Sequence, residues 1–183
     1  MGKFAVSVMG HDRPGILAAV SETVFGLGCN IEDVTQTILQ GEFAAIMIVA
    51  RPPEVSLAQV DTALRERLAP MDLGVFVRPL DEGWQPPTPG EPFVLTTRGK
   101  DQPGNIAAVT RALAHLGCNV TQFRAVLLAP AQEGEEMVMI LEIDVPQGVH
   151  HRVVRAALVQ ACQPLGMEVS LQHRDVFENI HRV

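Results

Sequence analysis

Two short turns carry the residues best suited to ligand chemistry. One reads Gly10-His11-Asp12-Arg13-Pro14-Gly15 and the other Gly99-Lys100-Asp101-Gln102-Pro103-Gly104. Each stands between an apolar run and a segment with helical spacing. At a helix start the first backbone N–H groups have no partner inside the helix, and they carry the positive end of its dipole. Gly15 and Gly104 place no side chain before those groups, so a carboxylate or similar anionic head can approach them. Asp12 and Asp101 suit a blander role as well, accepting the same N–H groups as a helix cap. Pro14 and Pro103 fit the first helical position, where a missing N–H costs nothing. On these residues alone, ligand cradle and plain cap both stay open.

A second repeated spot is Gly28-Cys29-Asn30-Ile31 with Gly117-Cys118-Asn119-Val120. Asn30 and Asn119 offer amide donors and acceptors to an adjoining module, or else satisfy their own turn. Cys29 and Cys118 read as small buried fillers, since no Lys or His stands beside both. Other chemistry is thin. His150-His151, His173 and His181 have no HxxxH or HExxH spacing, so no metal site is expected. GxSxG, GxxxxGK[ST] and GxGxxG are absent, and no cofactor is expected.

The elements that must position these spots are themselves duplicated. Residues 4–39 lie on 93–128 without a gap, with Phe4/Phe93, Gly10/Gly99, Asp12/Asp101, Pro14/Pro103, Gly15/Gly104, Ala18/Ala107, Ala19/Ala108, Val20/Val109, Leu27/Leu116, Gly28/Gly117, Cys29/Cys118 and Asn30/Asn119 identical. In the first copy, residues 4–9 form a strand. Leu17, Val20, Val24 and Leu27 then mark one helix face, which Gly28 ends as a left-handed cap. Strands at 31–39 and 42–50 meet at a Gln40-Gly41 hairpin. Ser56 and Gln59 form a capping box before a helix with Leu57, Val60, Leu64 and Leu68, and 72–80 closes the copy as a strand. The second copy repeats this order at 93–97, 106–116, 120–128, 137–145, 150–163 and 167–177, with a longer, acidic hairpin at 129–136. The order βαββαβ predicts an α+β, ferredoxin-like domain: an antiparallel sheet with both helices on one face. Domain 1 spans 1–80 and domain 2 spans 93–183. The linker between them, 81–92, has four prolines and two glycines, and its Trp84 is expected to dock on a domain.

Composition narrows the function. The chain has 183 residues, 47% hydrophobic and 19% charged, which suits a packed core. Fourteen Lys and Arg against 21 Asp and Glu give a net charge of −7, the wrong sign for a phosphate backbone. With no Tyr and one Trp, stacking platforms for bases are scarce, so no direct nucleic-acid contact is expected. No apolar run approaches the roughly 18 residues of a membrane span, and the stretch after Met1-Gly2-Lys3 lacks the apolar core of a secretion leader. Three cysteines without CxxC spacing argue for reduced thiols and a cytoplasmic location.

The GHDRPGI turn, its helix and the LGCNIED that follows resemble the ACT domain, a small regulatory module that binds amino acids. Two such modules in tandem, together with GEFAAIMIV at 41–49, are similar to the glycine cleavage system transcriptional repressor family. The resemblance implies a non-catalytic regulator with glycine or a similar amino acid as effector. It implies a protein partner, either a DNA-binding transcriptional activator or an enzyme, and a homodimer. By position it implies ligand contacts from His11, Asp12, Arg13, Pro14, Gly15, Ile16, Asn30 and Ile31. The matching positions in the second copy are Asp101, Pro103, Gly104, Asn105 and Asn119. That copy departs where Asn105 replaces Ile16 and where Lys100 and Gln102 replace His11 and Arg13, so the first copy is the closer match.

Two other classes compete. A small enzyme needs a tuned acid or base, and only Asp12, Asp101 and His11 qualify at the repeated spots. An RNA-binding module shares the strand order but needs aromatics on its central strands, where this chain has Val6, Met47, Ile48, Met139 and Ile140.

Overall fold

The computed structural model describes residues 2–81, 83, 88, 90–131 and 134–181. The chain divides into two compact units, Met1–Gln85 and Pro86–Val183. In unit 1, β1 (Gly2–His11), α1 (Ile16–Gly26), β2 (Asn30–Leu39), β3 (Glu42–Arg51), α2 (Leu57–Leu68) and β4 (Gly74–Pro79) follow in sequence. The sheet order is β2-β3-β1-β4, every neighbour antiparallel. Unit 2 repeats the plan with β5 (Glu91–Lys100), α3 (Asn105–His115), β6 (Asn119–Ala131), β7 (Gly134–Val145), α4 (His151–Cys162) and β8 (Glu168–His173), in the order β6-β7-β5-β8. Each unit is thus a ferredoxin-like βαββαβ domain, as the duplication predicts.

Alternation along the strands builds each core. Phe4, Val6 and Val8 on β1, with Met47 and Val49 on β3, meet Val20 and Val24 of α1 and Val60, Leu64 and Leu68 of α2. Leu95, Met139, Leu141 and Ile143 likewise meet Val109, Leu113, Val154 and Leu158. The capping box forms as expected: the Gln59 N–H donates to the Ser56 hydroxyl at 3.2 Å, and the Ser56 N–H donates to the Gln59 side chain at 2.8 Å. The Gln40-Gly41 turn takes left-handed φ at both residues, 51° and 86°, the geometry that follows strand twist. Cys29, Cys118 and Cys162 are buried and free, and burial pushes all three thiols up from their ordinary value.

Several expectations need correction. Each first helix begins at residue 16 or 105, capped by the backbone of Gly15 or Gly104 in left-handed φ without a side-chain bond, so Asp12 and Asp101 cap nothing. Pro14 and Pro103 consequently lie in the turn before the cap, not in the first helical position. Strand β5 begins at Glu91, inside the stretch read as linker, because Glu91 and Pro92 extend the pairing with Val145 and Asp144. Most of the acidic 129–136 hairpin is strand, with an irregularity between Leu128 and Ala131. Glu133 and Trp84 lie outside the described residues.

The largest difference is at the C-terminus. Residues 167–177 are not one strand. Pairing with β5 ends at Phe93 opposite His173, and the chain then turns into an extra helix, α5 (Arg174–His181). This helix packs on β5 and β8, and Arg174 reaches Glu142 at 3.6 Å on the sheet's open face. Among the described residues, no helix is long and apolar enough to cross a membrane.

Candidate functional site

Each turn-to-helix junction is built the same way. Strand β1 ends at His11, and the Asp12 N–H donates back to the Gly41 carbonyl at 2.8 Å, which holds the turn against the hairpin. In unit 2 the Asp101 N–H makes the matching bond to the Glu135 carbonyl at 2.9 Å. The chain then reverses through a glycine with φ of 94° at Gly15 or 101° at Gly104. A Cβ at either position would meet nothing within 4 Å, so the space before the helix is open. The first backbone bonds that reach back to these glycines come from the Ala19 and Ala108 N–H groups, each at 2.9 Å. Among the described residues, the N–H groups of Leu17 and Ala18, and of Ile106 and Ala107, have no acceptor. All four residues are exposed, so side chains do not seal these donors. Each unit thus presents two positive dipole ends at its helix start, facing open space.

The other predicted residues divide by place. His11, Asp12, Arg13 and Pro14 are exposed around the first turn, and His11 Nδ1 lies 2.6 Å from Glu42 on the neighbouring strand. Ile16 is 2% exposed and belongs to the core. Asn30 and Ile31 open β2 opposite Ala50 and Val49, and Ala50 in turn faces Lys3 at the far end of β1 from His11. At the rise of a strand this separates them from the turn by roughly 26 Å. Asn119 sits likewise opposite Asp144, which pairs with Pro92. Each unit therefore brings the turn residues together and leaves the strand-two asparagine at the other end of its sheet.

Unit 2 carries further features around its turn. An open depression of about 680 Å³ lies before α3, walled by Asp101, Gln102, Gly104, Asn105, Thr110 and Met137. The Gln102 amide donates to the Leu165 carbonyl at 2.8 Å, tying the turn to the short 3-10 turn that follows α4. Asn105, at the position of Ile16, is 1% exposed and donates from Nδ2 to the Lys100 carbonyl at 2.9 Å. Its Oδ1 is buried without a partner. The Lys100 carbonyl fixes this orientation, because a flipped amide would set two acceptors against each other. Thr97, at the position of Val8, is also 1% exposed with an unpartnered hydroxyl. Among the described residues, no group of three or more His, Cys, Asp or Glu is arranged to hold a metal.

Comparison with known proteins agrees with this geometry. The ACT domain family matches residues 3–78 and 91–172. The chain belongs to the ACT domain family. A UPF0237 protein of Methanopyrus kandleri is 42% identical over 80 residues, covering 42% of this chain and 84% of the relative, which is thus about one ACT domain long. A UPF0237 protein of Methanocaldococcus jannaschii matches to the same extent. Among solved structures, an unknown protein from Galdieria sulphuraria is 25% identical with a TM-score of 0.78, covering 94% of this chain and 98% of the other. A chain assigned as a glycine cleavage system transcriptional repressor is 20% identical with a TM-score of 0.67, over 93% of this chain and 96% of the other. At that identity the likeness is one of fold.

Proposed function

We propose that this tandem ACT-domain protein is a non-catalytic amino-acid sensor. In this reading the effector's carboxylate settles on the free N–H groups at the start of a first helix. The observation that carries it is the open junction behind Gly15 and Gly104, where exposed, unbonded amides face a space that no side chain fills. Such donors favour a small anion and are worth most when the ligand displaces water from them. Glycine or a close analogue is the effector, and control of glycine cleavage genes through contact with a DNA-binding activator is the output. The GHDRPGI and GCNIED resemblance and the shared fold of the repressor-like chain support that reading. A homodimer is part of it, supported by an apolar open sheet face in domain 1, where Met9 is 65% and Phe76 61% exposed.

Calorimetric titration of the full chain with each amino acid tests the sensor. A ligand at 100 times its Kd should raise stability by about 2.7 kcal/mol. No heat and no thermal shift across all twenty would overturn the proposal. Turnover of an amino-acid substrate that is lost in Asp12→Asn would favour an enzyme instead.

A further inference from the structure

The helix layers of the two domains carry different charge. In domain 1, α1 and α2 hold Glu22, Asp61 and Glu66 beside Arg65 and Arg67. Asp61 pairs with Arg65 at 2.7 Å, and Glu22 reaches Arg67 across the seam between the helices at 3.6 Å. In domain 2, α3 and α4 hold Arg111, Arg152 and Arg155 with His115 and His151, and no acidic residue. Arg111 stands at the position of Glu22. Ala161 stands at that of Arg67, when the buried rows Val60, Leu64, Leu68 and Val154, Leu158, Cys162 are matched. Both members of the bridging pair are thus exchanged. The three arginines are exposed, and among the described residues none of them forms an ion pair. In place of the bridge, the seam of domain 2 holds an open groove of about 370 Å³. Half-buried Ala108, Ala112, Ala157 and Ala161 form its floor, and exposed Arg111 and His115 stand at its rim.

We propose that this groove is the docking surface for a protein partner, and that the partner supplies an acidic amphipathic helix. The chain as a whole carries a net charge of −7, so a helix layer with three unpaired arginines and no acid is a local reversal of sign. Charge complementarity asks for carboxylates on the partner. A helix is the shape that fits. The stretch from Ala108 to His115 runs about two turns at the rise of an α-helix. Alanines let a partner backbone come close, and small apolar side chains on one face of that partner fill the groove. Arg111 offers a two-pronged guanidinium to a Glu or Asp beside that apolar face, and Arg152 and Arg155 widen the cationic field around it. Domain 1 does not dock the same helix, because the Glu22–Arg67 bridge spans its seam and Glu22 and Glu66 repel carboxylates. A nucleic-acid backbone is the poorer fit, since its phosphates would meet an alanine floor on an acidic chain. This inference rests on the proposed output through a protein partner, and adds which surface is met and the chemistry of the segment that meets it.

The test is fluorescence anisotropy on the full chain with a fluorescein-labelled peptide of about 18 residues, long enough to hold a helix. The peptide carries alanine and leucine on one face and glutamates flanking it. Its counterpart carries lysine for every glutamate. The acidic peptide should bind saturably, at least tenfold tighter than the lysine peptide, and its affinity should fall with added salt. Arg111→Glu installs the residue type that domain 1 carries there, and should weaken binding at least tenfold with circular dichroism unchanged. Adding Ala161→Arg restores the bridging pair of domain 1 and should remove the binding that is left. Arg78→Glu, on β4 of domain 1, makes the same change in net charge and should leave the affinity within twofold. Equal binding of the two peptides, no binding of the acidic one, or equal weakening by Arg111→Glu and Arg78→Glu would overturn the inference. A DNA duplex that binds tighter than the acidic peptide, and is lost in Arg111→Glu, would overturn it in favour of nucleic acid. The comparison of the two peptides on the unaltered chain decides the point even if a variant misfolds. Amino-acid calorimetry reads the sensor separately: an effector that binds where the acidic peptide does not leaves the sensor standing and this inference overturned.

Discussion

The two ACT domains share strand order and the placement of their two core helices, yet they differ on the open sheet face and beneath the first helix start. On the open sheet face, Met9 and Phe76 of domain 1 correspond by position to Arg98 and Ser170 of domain 2. Arg98 there forms a paired contact with Glu136, Nε to Oε1 at 2.6 Å and Nη2 to Oε2 at 2.7 Å. The same face of domain 2 also carries α5, which packs on β5 and β8. At the turn-to-helix junction the exchange runs the other way. Domain 1 is apolar under its helix start with Val8 and Ile16, and domain 2 is polar with Thr97 and Asn105. The duplication therefore preserved what the fold needs and let these positions diverge. The comparison teaches that one architecture accommodates either an aliphatic or a polar pair beneath its first helix, the polar pair leaving the Thr97 hydroxyl and Asn105 Oδ1 without partners.

Exchanging residues between the domains breaks or sharpens this comparison. Ile16→Asn should be the most damaging, since it removes core packing and buries an amide in a site not built for one. A loss of about 4 kcal/mol is expected, read by chemical denaturation with hydrogen exchange locating the loss in domain 1. The reciprocal Asn105→Ile removes an unmet acceptor and should raise the stability of ligand-free domain 2 by about 1 kcal/mol, read in the same way. A similar loss in both exchanges would mean that the two junctions are equivalent. Ending the chain after His173 removes the packing of α5 on β5 and β8 and should cost domain 2 about 1 kcal/mol, with domain 1 unchanged in hydrogen exchange.

Smaller effects concern titration. Cys29, Cys118 and Cys162 have thiol pKa values raised by burial, so the neutral form is favoured in the folded state. Their contribution is complete below the ordinary thiol value and declines as pH rises above it. Ellman's reagent at pH 8 should label none of them until denaturant is added. Hydrogen bonding from Arg98 holds the Glu136 carboxyl below its ordinary value of 4.5. That contribution is present above pH 4.5 and is lost as pH falls through the lower, folded value. The pair is exposed, so Glu136→Gln should shift the acid unfolding midpoint only slightly.

Much of the fold was legible because its signals are local and stated twice. The alternation at 4–9, the Gln40-Gly41 turn and the Ser56–Gln59 box each have one physical reading, and all three formed. Of the helix face read as Leu17, Val20, Val24 and Leu27, Val20 and Val24 are buried, Leu17 is 40% exposed and Leu27 lies past the helix end. The helix starts were misread because Asp12 and Pro14 resemble a cap and a first-turn proline, whereas left-handed Gly15 moves the start to Ile16. Helix α5 escaped because its end depends on where strand pairing stops at Phe93 and His173, a long-range fact. For the site, the open glycine could be argued from residue type alone. The acceptor on Asn105 could not, because its meaning lies in burial and in the Lys100 carbonyl that occupies the other half of the amide.

The most direct measurement of the central claim is a ¹⁵N-resolved NMR titration of the full chain with glycine and with the other amino acids in turn. An effector that settles on a helix start should move the Leu17 and Ala18 or the Ile106 and Ala107 amide resonances first and furthest, saturating with the calorimetric Kd. Saturable shifts confined to other parts of either domain, with the Leu17, Ala18, Ile106 and Ala107 resonances unmoved, would contradict the account.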